Sequence, residues 1–395
     1  MANHESIADT VRATVPEIVA LRRELHQHPE VRFQEQWTSG RIARFLDEAG
    51  CSFESGHGGG TGLVACIEGK GPKTVALRAD MDALEIQEET GLPYASQIPD
   101  RMHACGHDGH MAGLCGAIKV LLASRDLLKG TVKFIFQPGE EQVGGAKGMV
   151  EEGVMDGVDV VFGLHGWPNL PLGCIGIKPG RMMASADFFS IEVEGQGCHG
   201  AQPHVGVDPV IVAAHIATAL QTVVSRELDP REPAVVSVTQ ISAGSGTNII
   251  PANAILKGTV RAFSPDMCTA IRNAVIRIAE NTAQAFRATA RVKFGDVPYP
   301  ALSNDAAAAS FVRETVCDVL GVDKVIDLEQ PTTGAEDFAF YLQRAPGAFF
   351  FLGLSPEPTA PRAPLHSPQF DFNDDALPAA IMLFAHLALR YLAQD

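Results

Sequence analysis

Short apolar runs, each closed by a polar cluster, constrain this chain more than any other feature. Leu63–Ile67, Thr74–Leu77, Val132–Phe136 and Val158–Phe162 are runs of strand type, and a helix-like stretch from Met111 to Leu122 separates the second from the third. Two amphipathic helices, Ile7–His28 and Thr38–Gly50, precede them. Strands alternating with helices predict an α/β layer around a partly parallel sheet, whose ligands gather at the carboxyl ends of the strands. Polar motifs stand at those ends: Arg78-Ala79-Asp80-Met81-Asp82, Gln137-Pro138-Gly139-Glu140-Glu141 and Leu164-His165-Gly166.

From about Met183 to Val297 the pattern changes to strand (Phe188–Val193), helix (Pro209–Ser225), strand (Ala234–Ile241), strand (Ala254–Ala262), helix (Asp266–Ala285) and strand (Thr289–Phe294). This β-α-β-β-α-β order is that of a ferredoxin-like unit, of a size that folds as an insertion. The expected organisation is one α/β domain made of residues 1–182 and 298–395, interrupted by a ferredoxin-like domain over residues 183–297. A length of 395 residues accommodates both. Lys+Arg 31 against Asp+Glu 47 gives a net charge of −16, a field that repels nucleic acid and anionic membranes. The N-terminus lacks a basic stretch followed by an apolar core, and no run approaches the ~18 apolar residues of a membrane span. The eight cysteines form no CxxC pair, so most read as reduced and buried, and a cytoplasmic protein is expected.

His103-Ala104-Cys105-Gly106-His107-Asp108-Gly109-His110 places three imidazoles and a thiol just before a helix. Any one of these alone would read as a core cysteine or a helix-start histidine. Together, donors of this softness suit Zn, Mn, Co or Ni better than Mg or Ca. Glu140 and Glu141 follow a strand, and on extended backbone adjacent side chains point to opposite sides, so one can bind metal while the other faces a water. With Cys105, His107 and Glu141, His165 and His366 make five candidate ligands, more than one tetrahedral ion uses, which suggests two metals sharing a water.

These motifs, with Gly334-Ala335-Glu336-Asp337-Phe338, resemble the co-catalytic metallo-amidohydrolases of the aminoacylase/carboxypeptidase type. The similarity is greatest to the N-acyl-amino-acid amidohydrolase branch of hippurate hydrolase, auxin-conjugate hydrolases and N-acetyldiaminopimelate deacetylase. The resemblance runs from the first helix to the last. It implies a phosphorylase/hydrolase-like catalytic domain with a mixed central sheet flanked by helices, and an inserted ferredoxin-like lid that also makes a homodimer or homotetramer. It implies two divalent transition-metal ions held by Cys105, His107, Glu141, His165 and His366, with Glu140 as general base. The wider superfamily has His-x-Asp where this chain has Asp80-Met81-Asp82. By alignment Asp82 supports the metal site and its base, while Asp80, His103 and His110 keep open roles.

In the inserted domain the resemblance gives His199 to the oxyanion and Asn248 and Arg261 to a substrate carboxylate, which a guanidinium grips bidentately. Gly334 would lie beside the substrate. Taken alone, these would read as a loop histidine, a turn former and a strand charge. Gly56–Gly62 lacks the Gly-Lys-[Ser/Thr] ending of a phosphate cradle and reads as a loop. The implied reaction is metal-dependent hydrolysis of small N-acyl amino acids. A dipeptidase or carboxypeptidase on the same site is the alternative. A cysteine hydrolase built on Cys105 and His107 is opposed by their i,i+2 spacing and the surplus of ligands, and a purely structural metal site by the extra carboxylate of Glu140.

Overall fold

Val75, Ala76 and Leu77, Phe134, Ile135 and Phe136, and Phe349 and Phe350 are all shut off from solvent, so the strands that carry them must be covered on both faces. In the computed structural model, which describes residues 2–356 and 363–394, they form the middle of an eight-stranded sheet. Its order is Ser52–His57, Gly62–Ile67, Thr131–Gln137, Thr74–Asp80, Val160–Pro171, Gly347–Ser355, Ile175–Ile177, Val325–Asp327. The four central strands run parallel, and antiparallel pairings begin on either side of them. The helix His107–Ala123 is buried along almost its whole length and packs against Ala2–Gln27 and Leu377–Leu392. Gln36–Ala49 stops at Gly50, whose left-handed φ of 70° caps it.

The chain divides into two compact units. The first comprises residues up to Met182, Ser303–Gln330 and the chain from Asp337, and it contains the eight-stranded sheet. The second comprises Met183–Leu302 with Pro331–Glu336. Its four strands lie in the antiparallel order Val235–Ala243, Asn253–Arg261, Asp187–Glu194, Thr289–Phe294, the ferredoxin-like arrangement. Helices Pro209–Thr222 and Pro265–Ala285 are capped by the side chains of Asp208 and Ser264, each followed by a proline at the first helical position. They bury Val212, Ile216, Leu220, Ile271 and Val275 with Ile191, Val193 and Leu256 of the sheet, a core separate from that of the first unit.

Two helical segments, Pro209–Glu227 and Asp374–Leu392, are long and apolar enough to cross a membrane by length and composition alone. The second is mostly buried in the core of the first unit, which accounts for its apolar character without a membrane.

Candidate metal centre

The site forms where the central strands end. After Asp80 the chain turns, and Asp82 is brought against two backbone segments at once. Its carbonyl accepts a hydrogen bond from His107 Nδ1 at 2.8 Å, which leaves Nε2 of that ring as the lone-pair nitrogen. Its carboxylate accepts the N–H of Glu140 at 3.0 Å on one oxygen and the N–H of Glu141 at 2.9 Å on the other. Asp82 therefore caps the turn that carries both glutamates and fixes the tautomer of a neighbouring imidazole.

The turn differs from the extended backbone expected for Glu140 and Glu141. Both residues open a short helix, Glu140–Val143, entered through Gly139 in a left-handed conformation at φ 61°. A Cβ at Gly139 would also sit 2.9 Å from the Phe33 ring, so glycine is required here on two counts. Gly139 N–H donates to Glu35 Oε1 at 3.0 Å, and Thr61 Oγ1 donates to Glu35 Oε2 at 2.8 Å. Burial, with Asp82 nearby, pushes the Glu35 carboxyl up to about 7.

His165 also lies elsewhere than at a strand end. It is inside the strand Val160–Pro171, because Gly347–Ser355 pairs alongside it and sets Phe351 opposite His165. His165 Nδ1 donates to Gly166 O at 2.8 Å, and its Nε2 is 3.3 Å from Cys105 Sγ. Burial holds His165 well below the usual histidine range, which keeps a lone pair free for a cation. His366 sits at φ 64°, a conformation rare outside glycine, with its N–H donating to Ala104 O at 2.8 Å and its Nε2 3.1 Å from Glu141 Oε1.

The groups of donor atoms that lie within 4.8 Å of one another include Cys105, His107 and His165; Cys105, Glu141 and His366; and His107, Glu140 and Glu141. Cys105, His107 and Glu141 each belong to two of these groups, the overlap expected of a two-ion centre. The residues fit such ions. His107 Nε2 is fully buried and makes no hydrogen bond, and it stands 3.7 Å from Asp80 Oδ2. Burial alone would lower His107, yet Asp80, Asp82 and Glu141 carry it up to about 10. Burial, with Glu141, Glu140 and Asp80 nearby, pushes the Cys105 thiol well up. That much negative charge in a dry cluster calls for cations. A thiol, imidazoles and a carboxylate as donors suit zinc-like ions rather than calcium.

Of the other sequence candidates, His199 and Asn248 come together in the second unit. His199 pairs with Ile249 in a two-stranded ladder, and Gly200 N–H donates to Asn248 O at 2.7 Å. Arg261 ends the strand Asn253–Arg261, donates to Val260 O at 3.0 Å and holds its guanidinium 5.6 Å from the Phe188 ring. Gly334 is tied to Thr332, whose Oγ1 accepts its N–H at 3.2 Å, and Ala184 N–H donates to its carbonyl at 2.9 Å.

Sequence reading gave no role to the buried charges that brace the centre. Arg78 donates to Gln137 Oε1 at 2.8 Å, Asp80 Oδ2 at 2.7 Å and Asp337 Oδ1 at 3.0 Å, tying two strand ends to the segment after Glu336. Arg22, also fully buried, pairs with Asp108 at 2.8 Å and Asp371 at 2.7 Å, so it joins the first turn of the metal-site helix to the segment that follows His366. The signal for Arg78 was present: residues 78 and 80 alternate onto one face of a strand. Nothing local announces Arg22.

Comparison with known proteins agrees with this geometry. The profile of peptidase family M20/M25/M40 matches residues 76–390. A protein named N-acetylcysteine deacetylase from Bacillus subtilis is 41% identical over 95% of this chain and 97% of its own. Thermostable carboxypeptidase 1 of Saccharolobus solfataricus is 38% identical over 98% of both chains. Among solved structures, a Bacillus subtilis protein described as a dinuclear metal-binding peptidase of the M20 family superposes with a TM-score of 0.84 at 37% identity, covering 97% of this chain and 99% of that one.

Proposed function

The chain belongs to peptidase family M20/M25/M40, hydrolases of amide bonds, and on that premise we propose that it releases the acyl group from small N-acyl amino acids of the hippurate or N-acetyl type. The observation that carries the reading is the pair Glu140 and Glu141 on one turn capped by Asp82, with Glu141 among the clustered donor atoms. We assign Cys105, His107, Glu141, His165 and His366 as metal ligands, Glu140 as general base and Asp82 as its support. Two divalent ions held by these residues would supply Lewis acidity to the amide carbonyl and lower the pKa of a water toward neutral. Glu140 takes the proton from that water and returns it to the leaving amine, while Asp82 holds the Glu140 backbone in place throughout.

Substrate binding is assigned to His199, Asn248, Arg261 and Gly334. The His199–Asn248 ladder and the guanidinium of Arg261 are suited to an oxyanion and a carboxylate respectively. Residues 183–297, which make up most of the second unit, are proposed as an inserted lid, and a second copy of the chain as the partner that covers the exposed apolar side chains of that lid. Eight free cysteines favour the cytoplasm. A carboxypeptidase or dipeptidase reading of the same site is favoured by the carboxypeptidase relative and differs only on the acyl side of the scissile amide, where a peptidyl or aminoacyl group replaces a simple acyl group.

The test is turnover of hippurate, N-acetyl amino acids and dipeptides by the purified chain. N-acyl amino acids are expected to be the better substrates, with activity lost to a chelator and regained with Mn or Zn. Glu140→Gln is expected to retain metal and lose turnover by about 10²–10⁴-fold, the usual contribution of a positioned base. Activity that persists through chelation overturns the metal assignment.

A further inference from the structure

Strands Thr74–Asp80 and Val160–Pro171 pair in parallel only from Val75 opposite Val160 to Arg78 opposite Gly163. Continued in register, Asp80 would face His165, but the ladder stops short and the strands part around the donor cluster. A backbone N–H released there is a buried donor that must find another acceptor. Gly166 N–H finds one in His110 Nε2 at 2.8 Å. The other nitrogen of that ring, Nδ1, lies 2.7 Å from Asp80 Oδ1. Because a backbone N–H can only donate, Nε2 carries the lone pair, and Nδ1 carries the proton and donates to Asp80. Asp80, His107 and His110 do bring donor atoms within 4.8 Å of one another. His110, however, has spent both nitrogens and has no lone pair left for a cation.

We propose that His110 is a positioning residue, a neutral imidazole that bridges the parted strands and sets the metal-binding imidazole of His165. Gly166 transmits the setting. His110 holds its N–H, while its carbonyl accepts from His165 Nδ1 at 2.8 Å, so the rotation of the His165 ring is referenced through one residue to His110. Gly166 has little room to move, since a Cβ there would meet Leu354 and Phe372 at 3.0 Å. At its other end His110 fixes Asp80, which Arg78 holds from the opposite side at 2.7 Å. The result is a chain from Arg78 through Asp80 and His110 to Gly166, standing where the sheet no longer holds the strands together. The inference rests on His165 being a metal ligand.

The test strips the full chain of metal, titrates it with Zn or Mn, counts bound ions by elemental analysis and follows folding by thermal melting. His110→Leu is expected to weaken one of two bound ions by about 10–100-fold, the usual cost of losing a residue that orients a ligand. His110→Asn keeps a donor for Asp80 but falls short of Gly166, and is expected to lose a similar factor. His110→Gln, whose longer amide can accept from Gly166 N–H, is expected to recover most of the affinity. A role confined to folding would lower the melting temperature of the metal-free protein and leave ion affinity unchanged. That result overturns the proposal, as does wild-type affinity in His110→Asn. If His110→Leu does not fold, the Asn and Gln variants decide. A wild-type chain that binds no metal overturns both this proposal and the assignment of His165, whereas variants with wild-type affinity overturn the positioning role alone.

Discussion

Buried charge here is held in place by other buried charge, and His26 shows what that implies for stability. Its Nδ1 lies 2.8 Å from Asp108 Oδ2, and Asp108 also faces Arg22. Burial alone would lower His26, yet Asp108 overcomes it and raises the imidazole to about 9 from 6.5. A histidine raised on folding stabilises the native state fully below its unfolded pKa, and that contribution is lost as pH rises through the folded value. The difference in melting temperature between wild type and His26→Gln should therefore be greatest near pH 6 and shrink through about pH 9. Melting curves that stay a constant distance apart over that range would show that the His26–Asp108 pair carries no net charge interaction. Neighbouring His103 behaves in the opposite way. Burial takes it down to about 3, so it stays neutral among the same charges.

At the scale of elements, the metal-site helix is set by what it lacks. His107–Ala123 presents Gly109, Gly113 and Gly116 toward the C-terminal segment, where added Cβ atoms would meet the Phe372 ring, Ala380 Cβ at 3.2 Å and Ile381 at 2.5 Å. A side chain at Gly116 would gain about 1 kcal/mol in helix propensity over glycine but would overpack a closed core at a cost of roughly 1–3 kcal/mol. Gly116→Ala is therefore expected to lower the melting temperature. Gly40→Ala, in the helix Gln36–Ala49 with nothing within 4 Å, should raise it by the equivalent of about 0.5–1 kcal/mol. If both variants shift the melting point in the same direction, close packing does not govern the first. The elements themselves were legible from apolar runs: strands expected at 74–77 and 132–136 are present as Thr74–Asp80 and Thr131–Gln137. Boundaries fixed by long-range partners were not legible. Val160–Pro171 extends beyond its apolar run because Gly347–Ser355 supports it, and Glu140–Glu141 turn into helix because Asp82, 58 positions upstream of Glu140, offers two acceptors. The clustered donors Cys105, His107, Glu141, His165 and His366 could be singled out because donor chemistry is local to the residue. Arg22 escaped notice because its partners, Asp108 and Asp371, lie far along the chain.

The whole molecule carries −16, and a second copy would have to approach against its own charge. Apolar surface must supply the drive, and it is unevenly distributed. Among the described residues, eight of the eleven large hydrophobic side chains that are exposed lie between Phe188 and Ile255, in the second unit. Ile211, half exposed, stands on the helix Pro209–Thr222. Ile241, equally exposed, stands on Val235–Ala243, the edge strand of the four-stranded sheet, whose outer hydrogen-bonding groups have no neighbouring strand among the described residues. An apolar edge strand left open invites pairing with another chain, and a two-fold axis would let the same strand serve both copies. On this argument the wild type should sediment as a dimer and Ile241→Asp with Ile211→Asp as a monomer. Like charges on the approaching copies are screened over about 10 Å at 0.1 M salt, so added salt should tighten the wild-type dimer. Every proposed metal ligand belongs to the first unit, so the monomeric variant should still take up its full complement of metal. A wild type that stays monomeric at high concentration and high salt, or a double variant that still dimerises, removes this surface as the interface.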